Sequence, residues 1–135
     1  IDALSNLSLE VKISSSNPIH KKFGFELIND KFQNIGPVGA IYSCLNKAKT
    51  DRVLFTCCDY PLLDESFYKT LIEAYNNEQI FIVKSHPLIG IYNKESIVDV
   101  QYKGIESVKK CNFKEFNADE FKQLLKNVNE KSDIE

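Results

Sequence analysis

Asp59 occupies the position in this sequence that most favours metal or phosphate chemistry. It directly follows the nearly unbroken apolar run Val53 to Cys58, which predicts a central parallel strand covered on both faces. Ligands of open α/β sheets bind outside the carboxyl ends of the strands. Proteins typically hold Mg²⁺ through one or two carboxylates together with substrate phosphates. An aspartate that merely forms the turn before Pro61 would explain the same residue, so both interpretations stay open at this point.

Two earlier residues are predicted to lie on the same rim. Asp30 follows a short predicted strand over Phe25 to Ile28, and Gly36 precedes Pro37, which suits the first position of a helix. Glycine at a helix entry lets a ligand approach the free backbone N–H groups closely. A plain helix entry would explain Gly36 equally well.

Later polar residues are further candidates for ligand contact. His86 and Pro87 fall between two predicted strands, where a histidine is either functional or simply solvated. Asn127 and Asn129 could bind a ligand through their amides or form turns. The sequence has neither a Ser-His-Asp signature nor a G-x-x-x-x-G-K phosphate loop. The residues alone therefore predict no nucleophile.

The elements that must position these residues alternate between strand and helix. Such alternation predicts a three-layer α/β domain with a mostly parallel sheet. The short link from Lys84 to Pro87 adds an antiparallel hairpin to it. The predicted strands cover 9–14, 25–28, 53–58, 80–83, 88–92 and a segment near 113–116. Five helices are predicted. The first covers the opening residues, the second starts at 37, and the third is capped by Asp64 and ends at 76–77. The fourth covers 104–110, and the fifth contains 121–125.

Length and composition are those of one compact domain. The 135 residues are 43% hydrophobic and 27% charged with a net charge of -2, which excludes a disordered chain and gives no sign of nucleic-acid binding. No apolar run could cross a bilayer and no signal pattern opens the chain, so a cytoplasmic protein without membrane contact is expected. The cysteines lack a C-x-x-C pair and are expected to be buried reduced thiols. They are Cys44, Cys57, Cys58 and Cys111.

Four segments, in this order, resemble the molybdenum cofactor guanylyltransferase family. That family carries patterns close to G-P-L-A-G, P-C-D-x-P-L-L, H-P-x-x-x-L-Y and a late N-x-N-T-P-E-D. The corresponding segments here are Gly36-Pro37-Val38-Gly39-Ala40, Cys57-Cys58-Asp59-Tyr60-Pro61-Leu62-Leu63, His86-Pro87-Leu88-Ile89-Gly90-Ile91-Tyr92 and Asn127-Val128-Asn129. The ordered set is more specific than any one of its motifs.

The resemblance implies a Rossmann-like nucleotidyltransferase that uses Mg²⁺, transfers GMP from GTP to molybdopterin and releases pyrophosphate. It implies that Asp59 binds Mg²⁺ and that the product is delivered to molybdoenzymes or their chaperones. The residues implied to contact GTP are Asp59, Asp30, Gly36 and, by a looser alignment, Ser14. The residues implied on the pterin side are His86, Pro87, Asn127 and Asn129.

The sequence also departs from the family pattern. The family begins with a strand and the loop L-A-G-G-x-S-x-R-M-G-x-D-K, and residues 1–135 contain neither. We therefore expect a single nucleotidyltransferase domain, 1–135, that lacks the N-terminal strand and triphosphate loop and does not catalyse by itself. Gly39-Ala40 reverses the family order, and Asn129 is followed by Glu130 rather than by Thr-Pro. Two alternatives stay open: a related cytidylyltransferase acting on molybdopterin or a sugar phosphate, and a non-catalytic pterin- or nucleotide-binding module.

Overall fold

Helices and strands alternate along the chain. The computed structural model describes residues 2–5, 7, 10–15, 17–29, 37–94, 96 and 113–125. The helices are α1 (Asp2–Ser5), α2 (Pro37–Lys47) and α3 (Glu65–Ala74), with 3₁₀ helices at Pro18–Phe23 and Asp119–Phe121. The strands are β1 (Ile13–Ser14), β2 (Leu27–Ile28), β3 (Arg52–Phe55), β4 (Ile80–Val83), β5 (His86–Asn93) and β6 (Phe113–Phe116).

The main sheet has four strands in the order β3-β5-β4-β6. Strand β4 is parallel to β6 and antiparallel to β5, and β5 is antiparallel to β3. Three of the four strands therefore run in one direction. The remaining strand, β5, returns from β4 through Lys84 and Ser85, and Ser85 has a φ of 68°. Strands β1 and β2 form a separate parallel pair. The predicted α/β fold, mostly parallel with one antiparallel hairpin, is confirmed.

Helices cover both faces of the main sheet and complete the three layers. On one face, Ile41 and Leu45 of α2 pack against Ile80, Ile82 and Tyr92. On the other face, α3 packs against the sheet and α1 packs against α3. The fully or nearly fully buried residues of this second face are Leu63, Phe67, Tyr68, Leu71, Phe81, Val83, Ile89, Ile91, Phe116 and Ala118.

The prediction for the strand before Asp59 was wrong in its pairing. Strand β3 ends at Phe55, its side chains are half-buried or exposed, and its hydrogen-bonded neighbour within the described residues is the antiparallel β5. An apolar run reports burial and not the direction of the neighbouring strand. The fully buried strand is β4, whose four residues are all covered, because β5 and β6 flank it.

Other predicted elements differ in length. Within the described residues, β1 and β2 are limited to two residues each, shorter than predicted. The predicted C-terminal helix is a 3₁₀ turn over Asp119–Phe121. The predicted helix over 104–110 lies outside the described residues. None of the helices in the described ranges is long and apolar enough to cross a membrane.

Asp64 fixes the start of α3 and supports a stability prediction. Its carboxylate Oδ1 accepts a hydrogen bond from the backbone N–H of Phe67 at 3.0 Å, as an N-cap does. We expect Asp64→Ala to lower the free energy of unfolding by about 1 kcal/mol, because that N–H loses its partner. Urea unfolding measures the change. Asp64→Asn keeps a hydrogen-bond acceptor, so its free energy of unfolding should stay within a few tenths of a kcal/mol of wild type. An equal loss of stability in both variants would contradict the capping role.

Candidate functional site

The loop after β3 carries Asp59 and is anchored at both ends. Near its start, the Thr56 and Tyr68 hydroxyls are hydrogen-bonded at 2.9 Å, and Tyr68 is buried in α3. Near its end, the buried side chain of Leu63 joins the core on the α3 face. Between these anchors Cys58 and Asp59 are exposed. The loop is thus held in place while its polar tip faces solvent.

The Asp59 carboxylate is open to an incoming ligand. Its Oδ1 accepts a hydrogen bond from the Cys58 thiol at 3.9 Å, and no ion pair in the described part of the chain involves it. No group of three His, Cys, Asp or Glu side chains that could hold a metal occurs among the described residues. An exposed single carboxylate matches the way in which Mg²⁺ is bound together with substrate phosphates and water.

Tyr60 links the Asp59 loop to the hairpin. Its hydroxyl lies 3.1 Å from Nδ1 of His86, and the two rings pack edge to face with centroids 5.2 Å apart. Since Tyr60 is the next residue after Asp59, this contact brings the predicted metal ligand and His86 to one rim. His86 is the first residue of β5, so the contact also joins two elements at the ends of their strands.

The local environment keeps both partners of this contact neutral near pH 7. Burial lowers the pKa of His86 from its ordinary value of 6.5. Burial also raises the pKa of the Tyr60 hydroxyl, with the charges of Cys57 and Asp59 adding to the effect. A neutral imidazole can accept a hydrogen bond at Nδ1, so the Tyr60 hydroxyl is the donor when Nε2 carries the ring proton.

The lowered pKa of His86 predicts a pH-dependent stability. Below pH 6.5 the unfolded chain takes up a proton at His86 that the folded chain resists, so the free energy of unfolding falls as the pH drops from that value toward the lowered one. We expect wild type to lose more stability than His86→Gln between about pH 7.5 and about pH 5.5. Urea unfolding of both proteins at both pH values measures the difference. Identical pH dependence would contradict the burial of a neutral His86.

Pro87 is fixed by a hydrogen bond from the core. The Tyr92 hydroxyl donates to the Pro87 carbonyl at 2.6 Å, and Tyr92 itself is fully buried. Two residues before Pro87, the turn residue Ser85 has a positive φ of 68°, which few residues other than glycine adopt readily. The hydrogen bond from Tyr92 therefore ties the start of β5 to the core, beside Tyr60.

The cysteines near the site differ in exposure. Cys57 is half-buried and Cys58 is exposed, and both are free thiols. Burial raises the pKa of Cys57, with the charges of Asp59 and Cys58 adding and a backbone hydrogen bond from Asp59 opposing. Cys44 is buried, as predicted, whereas the prediction of burial was wrong for Cys58. It follows β3 in an exposed turn instead of lying within a strand.

The predicted site residues have different outcomes. Tyr60, the residue after Asp59, contacts His86, the residue before Pro87. Ser14 is exposed at the end of β1, which lies in the other sheet. The predicted site residues outside the described ranges are Asp30, Gly36, Asn127 and Asn129.

Sequence reasoning missed two residues of the site. Tyr60 follows Asp59 and positions His86, and Tyr68 anchors the loop through Thr56. A signal for Tyr68 was present, since a tyrosine on the buried stripe of a helix requires a partner for its hydroxyl. No comparable signal paired Tyr60 with His86.

Comparison with known sequences connects the chain to one enzyme group. The sequence model of the MobA-like NTP transferase domain matches residues 1–101. A protein of Flavobacterium johnsoniae named probable molybdenum cofactor guanylyltransferase is 31% identical over 100 residues, covering 70% of this chain and 53% of that protein. The molybdenum cofactor guanylyltransferase of Haemophilus influenzae is 26% identical over 99 residues, covering 66% and 52%. The chain thus spans about half the length of the curated relatives it matches.

Solved structures share the fold. A crystal structure of a protein from Aquifex aeolicus superposes with a TM-score of 0.84 at 20% identity, covering 96% of this chain and 76% of that one. The molybdopterin-guanine dinucleotide biosynthesis protein A of Archaeoglobus fulgidus superposes with a TM-score of 0.75 at 13% identity, covering 97% and 78%. At these identities the superpositions establish the architecture alone.

Proposed function

Because this chain belongs to the MobA-like NTP transferase family, we propose that it serves in the transfer of GMP from GTP to molybdopterin, which gives the guanine dinucleotide form of the cofactor. The observation that carries the proposal is the exposed Asp59 carboxylate on a fixed loop beside His86. The names of the curated relatives support the same reaction.

In this proposal Asp59 binds Mg²⁺ and does not act as a base. In the reaction, a terminal phosphate oxygen of molybdopterin bonds to the α-phosphorus of GTP, the bond from that phosphorus to the bridging oxygen of the β-phosphate breaks, and pyrophosphate leaves. The step brings two anions together, so positive charge must offset their repulsion. Asp59 would hold Mg²⁺, which would supply that charge.

The remaining predicted residues divide between the two substrates. We assign Ser14, Asp30 and Gly36 to GTP, and the exposure of Ser14 at the end of β1 supports its part in this. By the same family resemblance we assign His86 and Pro87 to the pterin side; hydrogen bonds with Tyr60 and Tyr92 hold the two residues. The other residues assigned to the pterin side are Asn127 and Asn129. The reaction would take place in the cytoplasm, with molybdoenzymes or their chaperones receiving the product.

A radiochemical assay tests this function. The full-length protein is incubated with Mg²⁺, molybdopterin and either GTP or CTP, each labelled at the α-phosphate. We expect label to enter a pterin dinucleotide from GTP only, with pyrophosphate released in equal amount. Label entering the product from CTP instead would contradict guanylyl transfer and favour a cytidylyltransferase. Absence of transfer from either nucleotide by a folded protein would favour a binding module.

A further inference from the structure

The imidazole of His86 uses one of its two nitrogens within the described part of the chain. Nδ1 lies 3.1 Å from the Tyr60 hydroxyl. Among the residues that the structure describes, Nε2 has no hydrogen-bond partner. The side chain is half-buried, so the ring is held by the protein and still reaches the surface. One ring nitrogen is therefore left for a ligand.

Tyr60 is held through both its backbone and its side chain. Its carbonyl accepts a hydrogen bond from the N–H of Leu63 at 3.3 Å. Its ring packs against the core on the α3 face and meets the His86 ring edge to face, with centroids 5.2 Å apart. The Tyr60 hydroxyl is thus a fixed partner for Nδ1 of His86.

This hydrogen bond selects the nitrogen of His86 that carries the proton. Burial lowers the pKa of His86, so near pH 7 the ring is neutral and has a single N–H. A proton on Nδ1 would leave the Tyr60 O–H without an acceptor among the described residues. A proton on Nε2 lets the hydroxyl donate to Nδ1 and satisfies both groups. The second arrangement leaves the Nε2–H group as a donor for a ligand.

We propose that Tyr60 is a positioning residue that holds His86 in the Nε2–H form, and that this N–H donates one hydrogen bond to an oxygen of molybdopterin. The inference rests on the proposed function, in which His86 lies on the pterin side. The family pattern P-C-D-x-P-L-L specifies no residue type at the position of Tyr60, so this role belongs to the chain itself and not to the motif. Because Tyr60 follows Asp59, one loop then serves both substrates.

Calorimetric titration of molybdopterin into the full-length protein, without oxygen, tests this role and requires no turnover. Tyr60→Phe keeps the ring and removes the hydroxyl, and His86→Phe keeps an aromatic ring and removes the donor. We expect the first variant to raise the Kd for molybdopterin at least about threefold and the second about tenfold, because the hydrogen bond is loosened or lost. The Kd for GTP in Mg²⁺ should stay within about twofold of wild type in both variants, since neither changes a residue assigned to GTP.

Tyr75→Phe is the matched control for the loss of a hydroxyl. The Tyr75 hydroxyl donates to the Glu78 carbonyl at 2.8 Å, and Tyr75 follows the last residue of α3, whereas Tyr60 precedes the first. We expect this variant to bind molybdopterin and GTP as wild type does. Weakened molybdopterin binding equal to that of Tyr60→Phe would overturn the proposal.

The double variant separates an action through His86 from a general effect on the loop. If Tyr60 acts by orienting His86, Tyr60→Phe should have no further effect on the Kd for molybdopterin once His86 is replaced by phenylalanine. Effects of the two substitutions that multiply would overturn the proposal. Unchanged molybdopterin binding in Tyr60→Phe, or an equal loss of GTP binding, would do the same.

NMR of the ring nitrogens gives a second measurement on the unaltered protein. Long-range ¹H–¹⁵N correlation distinguishes a nitrogen that carries a proton from one that does not, and the spectrum of His86→Phe identifies the signals of His86 against those of His20, the other histidine. We expect the proton on Nε2 at about pH 7.5, and a shift of the Nε2 signal when molybdopterin binds. A proton on Nδ1, an unshifted signal, or no molybdopterin binding would overturn the inference. Failure to transfer GMP by a protein that binds molybdopterin in this way would contradict the proposed reaction alone.

Discussion

Asp59→Asn is expected to lower the rate of GMP transfer by about 10²- to 10³-fold and to leave the fold intact. Unlike unit charges about 4 Å apart attract by about 4 kcal/mol at an effective dielectric constant of about 20, and such a loss corresponds to nearly three orders of magnitude in rate. The side chain is exposed and has no ion pair in the described part of the molecule, so asparagine costs little stability. The measurement is kcat/KM for GTP at saturating molybdopterin and Mg²⁺.

Asp51→Asn is the matched control for this variant. Asp51 is also an exposed aspartate, but it precedes β3 whereas Asp59 lies in the loop that follows it. Its substitution makes the same change in net charge at the opposite end of one strand. We expect kcat/KM within about twofold of wild type, because surface charges are largely screened beyond about 10 Å. Equal losses in the two variants would contradict a specific role for Asp59.

Gly90→Ala is expected to lower the free energy of unfolding by about 3 kcal/mol or more, the upper part of the range for overpacked cores. A Cβ atom at Gly90 would lie 2.5 Å from the Phe81 carbonyl oxygen and 2.8 Å from the Ile82 Cα. Both are backbone atoms of β4, the fully buried strand, so neither can rotate away. The hairpin would have to separate to admit the methyl group. Urea unfolding with a check of two-state behaviour measures the loss.

Gly24→Ala is the comparison that separates crowding from backbone strain. Gly24 has a φ of 79°, and nothing lies within 4 Å of a Cβ placed there. An alanine in this left-handed conformation costs about 1–2 kcal/mol, without a clash. We expect Gly24→Ala to be clearly less destabilising than Gly90→Ala. The reverse order would contradict the close packing of β4 against β5.

Local signals in the sequence predicted much of the fold. The short link after Val83 predicted the antiparallel hairpin, because so few residues cannot cross to a parallel position. Pro37 marked the start of α2 and Asp64 the cap of α3, since both roles depend on the chemistry of one residue and its immediate neighbours.

Pairing between distant segments was not predictable in the same way. The apolar run at Val53 indicated burial, but β3 gained an antiparallel neighbour from a strand that begins 31 residues after Phe55, at His86. The need for glycine at position 90 could not be predicted either, because it arises from the close approach of the β4 backbone. Such contacts depend on how the whole sheet assembles and not on the neighbouring residues in the sequence.

The candidate site was predictable in part for the same physical reason. Asp59 was predicted as a ligand because ligands bind at the carboxyl ends of strands, a rule that needs only the order of the elements along the chain. The contact between Tyr60 and His86 joins residues 26 positions apart, and that between Thr56 and Tyr68 joins residues 12 apart. Neither follows from any local pattern.

Calorimetric titration of GTP into the full-length protein, with Mg²⁺ and then with EDTA, tests the central claim that the Asp59 rim is a metal-nucleotide site. We predict saturable binding of one GTP per chain in Mg²⁺ that is lost in EDTA, because the carboxylate and the triphosphate repel each other without the cation. Binding of equal strength in both buffers, or none in either by a folded protein, would contradict it.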